Sequence, residues 1–503
     1  MTGLSRRATQ LATVICTGLL SCSATSPLAP RAPRANAPQS EASDPLSLPP
    51  PASLTTLQPF PQVHHLMLPS GLAVDVVEHH ALPLVAVRLV LDAGQAQDGL
   101  KPGRARLCAQ LLKAGGAGAL SPLELVQHAD ALGSFIEVET GPDATELAMS
   151  VAASDLESAV ELLTKVVQQP RLDALEFDRL KQRELERTQS QMLSDADWQA
   201  HVVLFKRLFG SHPYAHFDAL PSELSAISLA DCQSWFRSEV VPSHAELVIV
   251  GDLDVARGEA AARRSFQAGH GHPVGRVGWK GVESRTQRKI WLIDRPGLVQ
   301  SEVFVAGLGP QRGSASWPAV AVENQILGGP TSGRLFQDVR EKRSLAYRTG
   351  SSLLELKMGR VPLILSAGIR VEKTSETLQA LLAQGAALTK RAPEDAEVTT
   401  AVRYLTDSFL FRTEQVGDLA KLVAKLHVLG LPEGYYDSYR ERLASVDPGS
   451  AFAAALQTLD LWSPLVVIVG DAARVEQSLR SFGDVAVLNP REEFATSREL
   501  SRL

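Results

Sequence analysis

A chain of 503 residues is too long for one hydrophobic core, since single cores stop growing at roughly 250–300 residues. Its 45% apolar and 21% charged content is that of an ordinary globular protein. A formal charge of −6 with no basic block argues against a nucleic-acid role, and no apolar stretch is long enough for a spanning helix.

At the N-terminus, Arg6 and Arg7 precede a short, mostly apolar run from Ala8 to Leu20, the pattern of an export signal. The run ends in Leu19-Leu20-Ser21-Cys22, which resembles a bacterial lipobox. Such a site needs a cysteine, because the thiol takes the diacylglyceryl thioether and the freed amine can then be acylated. The expectation is a lipoprotein signal over residues 1–22 with lipidation at Cys22; secretion with cleavage elsewhere is the plainer alternative. Ser23 in place of Asp goes with outer-membrane sorting in such lipoproteins, so the expected location is a bacterial cell envelope, lipid-anchored, at the outer membrane and facing the periplasm. Residues 23–60, rich in Pro, Ala and Ser, read as an extended tether. Cys16 leaves with the signal. Cys108 and Cys232 could pair in an oxidising compartment, but both fall at helix positions far apart in sequence, and two free buried thiols are expected.

Residues 61–268 read as a first domain. Leu68 to Val77 is a turn flanked by strand-like alternation, and Leu84–Leu91 is a second strand. Helical spacing follows over Leu107–Lys113, Pro122–Leu132, Asp155–Val167 and Leu175–Met192. Phe135–Glu139 and Ala144–Val151 flank Gly141-Pro142 as a strand pair, and Ala245–Asp252 closes the unit as a buried-type strand. A linker over 269–288, around His270-Gly-His-Pro-Val-Gly, leads to a second domain over 289–490 that replays this order, with residues 491–503 as a tail. Leu298–Val305 matches Leu84–Leu91, Leu363–Ile369 matches Ala144–Ser150, and Leu465–Asp471 echoes Leu247–Asp252. The offset of about 215–220 residues is too long for a solenoid and suits a duplicated domain. Intermingled strands, helices and hairpins place the chain in the α+β class.

In the second half, Leu327-Gly-Gly-Pro-Thr-Ser-Gly-Arg334 is a glycine-rich turn that allows close backbone approach and tight bends. From Arg334 to about Lys342 the spacing predicts an amphipathic helix, with Leu335 and Val339 four apart, and a strand begins at Leu345-Ala-Tyr347. Alone, Arg340-Glu-Lys-Arg343 is an ordinary solvated charge run.

The run Arg334-Leu-Phe-x-x-x-Arg340-Glu-Lys-x-x-Leu345-Ala-Tyr347 resembles the second-half signature of pitrilysin/insulinase-type metallopeptidases, in their mitochondrial-processing-peptidase-like branch. Upstream, Asp294-Arg-Pro-Gly-Leu-Val-Gln-Ser-Glu302 is similar to that family's "D-x-P-G-x-x-Q-S" segment. The resemblance covers roughly residues 60–490 and implies two α/β-roll domains with largely antiparallel sheets and flanking helices, forming half of a clamshell. It makes Gly328, Gly329, Ser332 and Arg334 of the glycine-rich turn candidates for substrate binding. It also implies a zinc site: peptide-cleaving members carry H-x-x-E-H on a first-half helix, two His holding Zn²⁺ and the Glu acting as base, with a further Glu on a later helix.

The matching segment here is Gly103 to Gly115, whose register puts Arg106 and Gln110 at the histidine positions and Ala109 at the base. The last ligand position falls on Arg187; a slip to Glu186 would not restore the histidines. Arg106 and Arg187 stay protonated and Ala109 takes no proton, so no zinc is expected in this chain. His212-Pro-Tyr-Ala-His216 has i,i+4 spacing, but Pro213 disfavours a regular helix there. The neighbours His64-His65 and His79-His80 point to opposite faces of a strand and make no chelate.

Two readings follow from the resemblance. In one, the chain is the non-zinc subunit of a heteromeric peptidase: Arg340 and Tyr347 contact substrate carbonyls in trans, zinc sits in a homologous partner, and the ligand is a peptide. In the other, it is an inactive peptide-binding or scaffold lipoprotein of the same fold. An independent zinc protease is disfavoured by Arg106, Ala109 and Gln110.

Overall fold

A computed structural model describes residues 59–266, 282 and 288–503. The expected signal, the Cys22 lipobox, the tether as far as residue 58 and nearly all of the 269–288 linker lie outside the described residues.

In the first half, β1 (His64–Met67) and β2 (Ala73–Glu78) form a hairpin through Gly71, whose φ of +87° suits a residue without Cβ. With β3 (Leu84–Leu91), β4 (Glu137–Thr140), β5 (Thr145–Ala152) and β6 (Ala245–Gly251) they make a six-stranded sheet ordered β1-β2-β6-β3-β5-β4. β4 and β5 meet at the expected Gly141-Pro142 turn. Every residue of β6 is buried, because it lies between β2 and β3 with both faces covered.

The second sheet contains β7 (Lys289–Asp294), β8 (Gln300–Gly309), β9 (Ala346–Leu353), β10 (Val361–Arg370), β11 (Asp460–Gly470), β12 (Asp484–Asn489) and β13 (Ala495–Leu500). Its order is β13-β12-β7-β11-β8-β10-β9. The run β7-β11-β8-β10-β9 repeats β2-β6-β3-β5-β4 strand for strand, including the parallel first pair. The duplication and the α+β class are therefore present in the molecule.

The packing adds something that periodicity does not carry. One face of the first sheet is covered by helices of its own half, Arg104–Ala114 and Leu156–Gln168. The other is covered by Val416–Val428 from the second half, whose Leu419, Ala420, Val423 and Ala424 join Val77, Ala86, Val90, Val248 and Val250 in one cluster. The exchange is reciprocal: Ala196–Phe209 of the first half packs on β8 and β11. Each large apolar side chain so buried is worth about 1.5–3 kcal/mol, so the two halves stabilise one another.

Three expectations are corrected. Cys108 and Cys232 are not free thiols but a disulfide with Cα atoms 5.0 Å apart. The helices Arg104–Ala114 and Leu229–Glu239 pack together with both cysteines on their buried faces, a proximity invisible across 124 residues of sequence. The segment 491–503 is not a tail, since β13 extends the second sheet beside β12. The helix after Arg334 is wound as a π-helix over Phe336–Lys342, with Arg343 N–H donating to Asp338 O at 3.1 Å, five residues back. Leu335 and Val339 are nevertheless its buried residues, as their spacing implies.

Replacing both cysteines by alanine is expected to lower stability by about 2–4 kcal/mol, read as a reduced urea midpoint. Peptide mapping without reductant should recover the Cys108 and Cys232 peptides joined.

Candidate functional site

The helix Arg104–Ala114 begins after Gly103, which adopts a φ of +85°. Asp98 fixes this start by accepting from the Gly103 N–H at 2.9 Å and the Ala105 N–H at 2.7 Å. Ala109 is fully buried, and the Gln110 amide donates to Val138 O on β4 at 3.0 Å. Arg106 lies on the side facing the helix Ala174–Ser194, which carries Arg187.

Arg106 and Arg187, eighty-one positions apart by numbering, meet at one oxygen. Asp218 Oδ2 accepts from Arg106 Nη1 at 3.2 Å, Arg187 Nη2 at 3.2 Å and Trp198 Nε1 at 3.0 Å, while Oδ1 accepts from the Ala219 N–H at 2.9 Å. Glu184 adds a second carboxylate, 2.8 Å from Arg187 and 3.8 Å from Arg106. Arg187 also donates to Gln191. Burial disfavours the Arg187 charge, but Asp218 and Glu184 outweigh it and hold the guanidinium above its ordinary range. Two cations thus face two anions, and the cluster is neutral. Glu186 instead accepts from Gln182 on an exposed part of the helix.

These residues do not fit a zinc ion. Guanidiniums offer no lone pair to a metal, Ala109 has no donor atom, and the carboxylates present are already engaged by arginine. Among the described residues no group of three or more His, Cys, Asp or Glu is placed to hold a metal. The His212–His216 segment is a short 3₁₀ turn, Pro213–Ala215, where His212 Nδ1 accepts from the Tyr214 N–H. Tyr214 Oη bonds Asp143 and accepts from the Met358 N–H at 2.9 Å, tying this loop to the second half. His65 pairs with Asp75 at 2.6 Å and His80 with Asp252 at 2.8 Å.

In the second half the glycine-rich turn is used internally. A Cβ on Gly328 would lie 2.1 Å from Ser351 N on β9, and one on Gly329 2.3 Å from Gln325 O. Arg334 forms a fork to Glu397, with bonds of 2.7 and 2.6 Å, and is mostly buried. Of the four turn candidates, only Ser332 is exposed; the other three are partly buried. Arg340 is exposed and stacks on Phe336, 4.7 Å from the ring centre. Tyr347, 51% exposed, donates to Glu302 Oε1 at 3.0 Å on β8. Burial first, and the Glu302 carboxylate second, raise its phenol above the ordinary value.

The helix Trp317–Gly328 follows β8 as Arg104–Ala114 follows β3. Counting back from Gly328-Gly329 and Gly115-Gly116 puts Glu323 at the position of Gln110. Glu323 is buried, and neither carboxylate oxygen has a hydrogen-bond partner. Burial raises it to about 7, with Arg334 opposing and Glu397 assisting. The sequence places Glu323 and Glu302 by register but gives neither a partner, and nothing in it marks Asp218; each acquires its role from neighbours supplied by other elements.

The chain thus holds two similar α/β units, and the first-half positions that the resemblance assigns to a metal carry paired arginines. A family model described as "Insulinase (Peptidase family M16)" matches residues 75–205, and one described as "Peptidase M16 inactive domain" matches residues 226–405. The chain belongs to the insulinase-type M16 family. It is similar to an uncharacterized zinc protease of Mycobacterium tuberculosis, 27% identical over 292 residues, covering 57% of this chain and 66% of that protein. It is also similar to a "Probable inactive metalloprotease" of Bacillus subtilis, 23% identical over 235 residues, covering 46% and 54%. The chain thus spans about two thirds or less of the length of these curated relatives. Among solved structures, an M16 inactive domain from Pseudomonas fluorescens superposes with a TM-score of 0.76 at 26% identity, covering 81% of this chain and 98% of that one. A protease from Helicobacter pylori gives 0.75 at 18% identity, covering 82% and 99%.

Asp218→Ala leaves two guanidiniums facing each other and is expected to cost about 2–3 kcal/mol in urea unfolding. This is below the ~3–5 of a fully buried pair, since Arg106 and Arg187 are 36% and 28% exposed. Zinc or a chelator should leave the wild-type thermal midpoint unchanged, as no group among the described residues is placed to hold the ion. For Glu323 the folded value of about 7 exceeds the ordinary 4.5, so the folded state holds the proton longer. Wild-type stability should therefore fall, relative to Glu323→Gln, as pH rises from about 4.5 to about 7, with a constant gap on either side. Paired urea titrations across that range measure it.

Proposed function

We propose that the chain is the non-zinc subunit of a heteromeric M16 peptidase, binding peptide and offering Arg340 and Tyr347 to substrate carbonyls beside a zinc-bearing partner. The observation that carries this reading is the contrast between the halves. Where the first half would hold metal its arginines are paired with carboxylates, whereas Arg340, on the π-wound turn, and Tyr347, beyond it, are exposed. A guanidinium and a phenol are donors suited to a carbonyl oxygen that gathers negative charge. The metal chemistry belongs to the partner, and no step of it passes through this chain.

A second reading, an inactive peptide-binding or scaffold lipoprotein, is favoured by the engagement of Tyr347 with Glu302 and of Arg340 with Phe336. Either way we place the chain in a bacterial cell envelope, anchored through Cys22 at the outer membrane. The Cys108–Cys232 disulfide supports an oxidising compartment.

Isolation from native membranes should co-purify a related chain with an intact H-x-x-E-H motif and stoichiometric zinc. In that complex Tyr347→Phe should reduce peptide turnover about 100- to 1000-fold, the cost of one such donor, with assembly unchanged by size. Arg340→Lys, which keeps charge but loses the planar fork, should also be impaired. Full turnover by an intact Tyr347→Phe complex would leave the scaffold reading in its place.

A further inference from the structure

Tyr347 is held by a device spread over three strands. Gly368 on β10 pairs with Glu302 on β8 on one side and with Arg348 on β9 on the other. The next pair is Ile369 with Ala346, so Tyr347 is an extra, bulged residue. Successive residues of a strand normally point to opposite faces, but a bulge re-aims a side chain. Here both Tyr347 and Arg348 reach the same carboxylate: Tyr347 Oη to Glu302 Oε1 at 3.0 Å, and Arg348 Nη2 to Glu302 Oε2 at 3.0 Å.

They reach it across Gly368, where a Cβ would lie 2.6 Å from Tyr347 Oη and 2.9 Å from Glu302 Oε1. Any larger residue would close the window. Glu302 itself is buried, so the phenol comes to it. Arg348 continues to Asp197, 3.7 Å away on the first-half helix Ala196–Phe209, and Asp197 lies 3.3 Å from His201. Gln300 Oε1, at 3.4 Å, is a second and weaker acceptor for the hydroxyl.

A phenol has one proton to donate. While that proton points at Glu302, Tyr347 presents only lone pairs to an approaching carbonyl oxygen, and the two repel. We propose that Glu302 is a positioning residue that latches Tyr347: it occupies the hydroxyl proton in the free chain, and a peptide carbonyl must take the proton from it. This rests on the reading of Tyr347 as a peptide contact. It also accounts for an exposed yet engaged phenol without assigning the chain to a purely structural role.

Two measurements on the full chain separate the latch from that reading. First, with 3-fluorotyrosine placed at position 347, the ¹⁹F-monitored phenol titration should move down when Glu302→Gln removes the charge. An unchanged titration overturns the latch. Second, binding of fluorescein-labelled casein, followed by anisotropy, should tighten about fivefold in Glu302→Gln, the difference between a charge-assisted and a neutral hydrogen bond, since the glutamine oxygen can still accept from the phenol. The gain should vanish in the double variant with Tyr347→Phe. Equal or weaker binding by Glu302→Gln, with the titration shifted, means that Glu302 orients Tyr347 for peptide instead of restraining it, and the proposal falls. If no form binds casein, the peptide-contact reading fails and the titration decides the hydrogen bond alone. Should Glu302→Gln not fold, a wild-type phenol titrating at its ordinary value still overturns the latch.

Discussion

The first half depends on a single carboxylate oxygen. Asp218 Oδ2 accepts hydrogen bonds from two guanidiniums and an indole, and through them joins three helices at one point. The desolvation cost of such a charge is large, and it is offset here because every buried lone pair finds a donor and both arginines keep partial access to water. One residue along the same helix as Arg106 and Ala109, Cys108 is bonded to Cys232. The helix that would present metal ligands is thus fixed by a covalent bond on one side and an ion cluster on the other.

The second half does the reverse. Its equivalent helix carries a buried Glu323 with no hydrogen-bond donor, and its signature is wound through a π-helix that holds Arg340 and ends on the bulge at Tyr347. Both irregularities insert an extra residue, and both lie within a dozen residues of each other around Arg340 and Tyr347. Regular winding would have kept Tyr347 and Arg348 on opposite faces, and Glu302 could then have met only one of them.

What could be read in the chain follows from what is local. Strands such as β3 and β6 are legible because their apolar runs are set by burial of each residue in place. The duplication is legible because two copies of one order remain side by side in sequence. Arg106, Ala109, Gln110 and Arg187 could be picked out by register against a known motif, but Asp218 could not: it sits in a loop and matters only because two helices bring arginines to it. The disulfide was misread for the same reason, since helical spacing says which face a cysteine occupies and nothing about which helix lies opposite. Tyr347 was legible and its restraint was not, because a bulge and a glycine window on a neighbouring strand leave no periodic trace.

The exchanged helices carry a consequence for how such a chain can arise. A half-length protein with either sheet would leave one broad apolar face bare, because the helix that covers it, Val416–Val428 or Ala196–Phe209, belongs to the other half. A second identical copy could supply the missing cover by lending the same helix across a twofold axis, an isologous contact in which each subunit gives what it receives. Joining two such copies end to end keeps every contact and removes the need for encounter. It also frees the two halves to diverge, so that one can trade its metal ligands for arginine while the other keeps its phenol, without either losing the surface that holds them together.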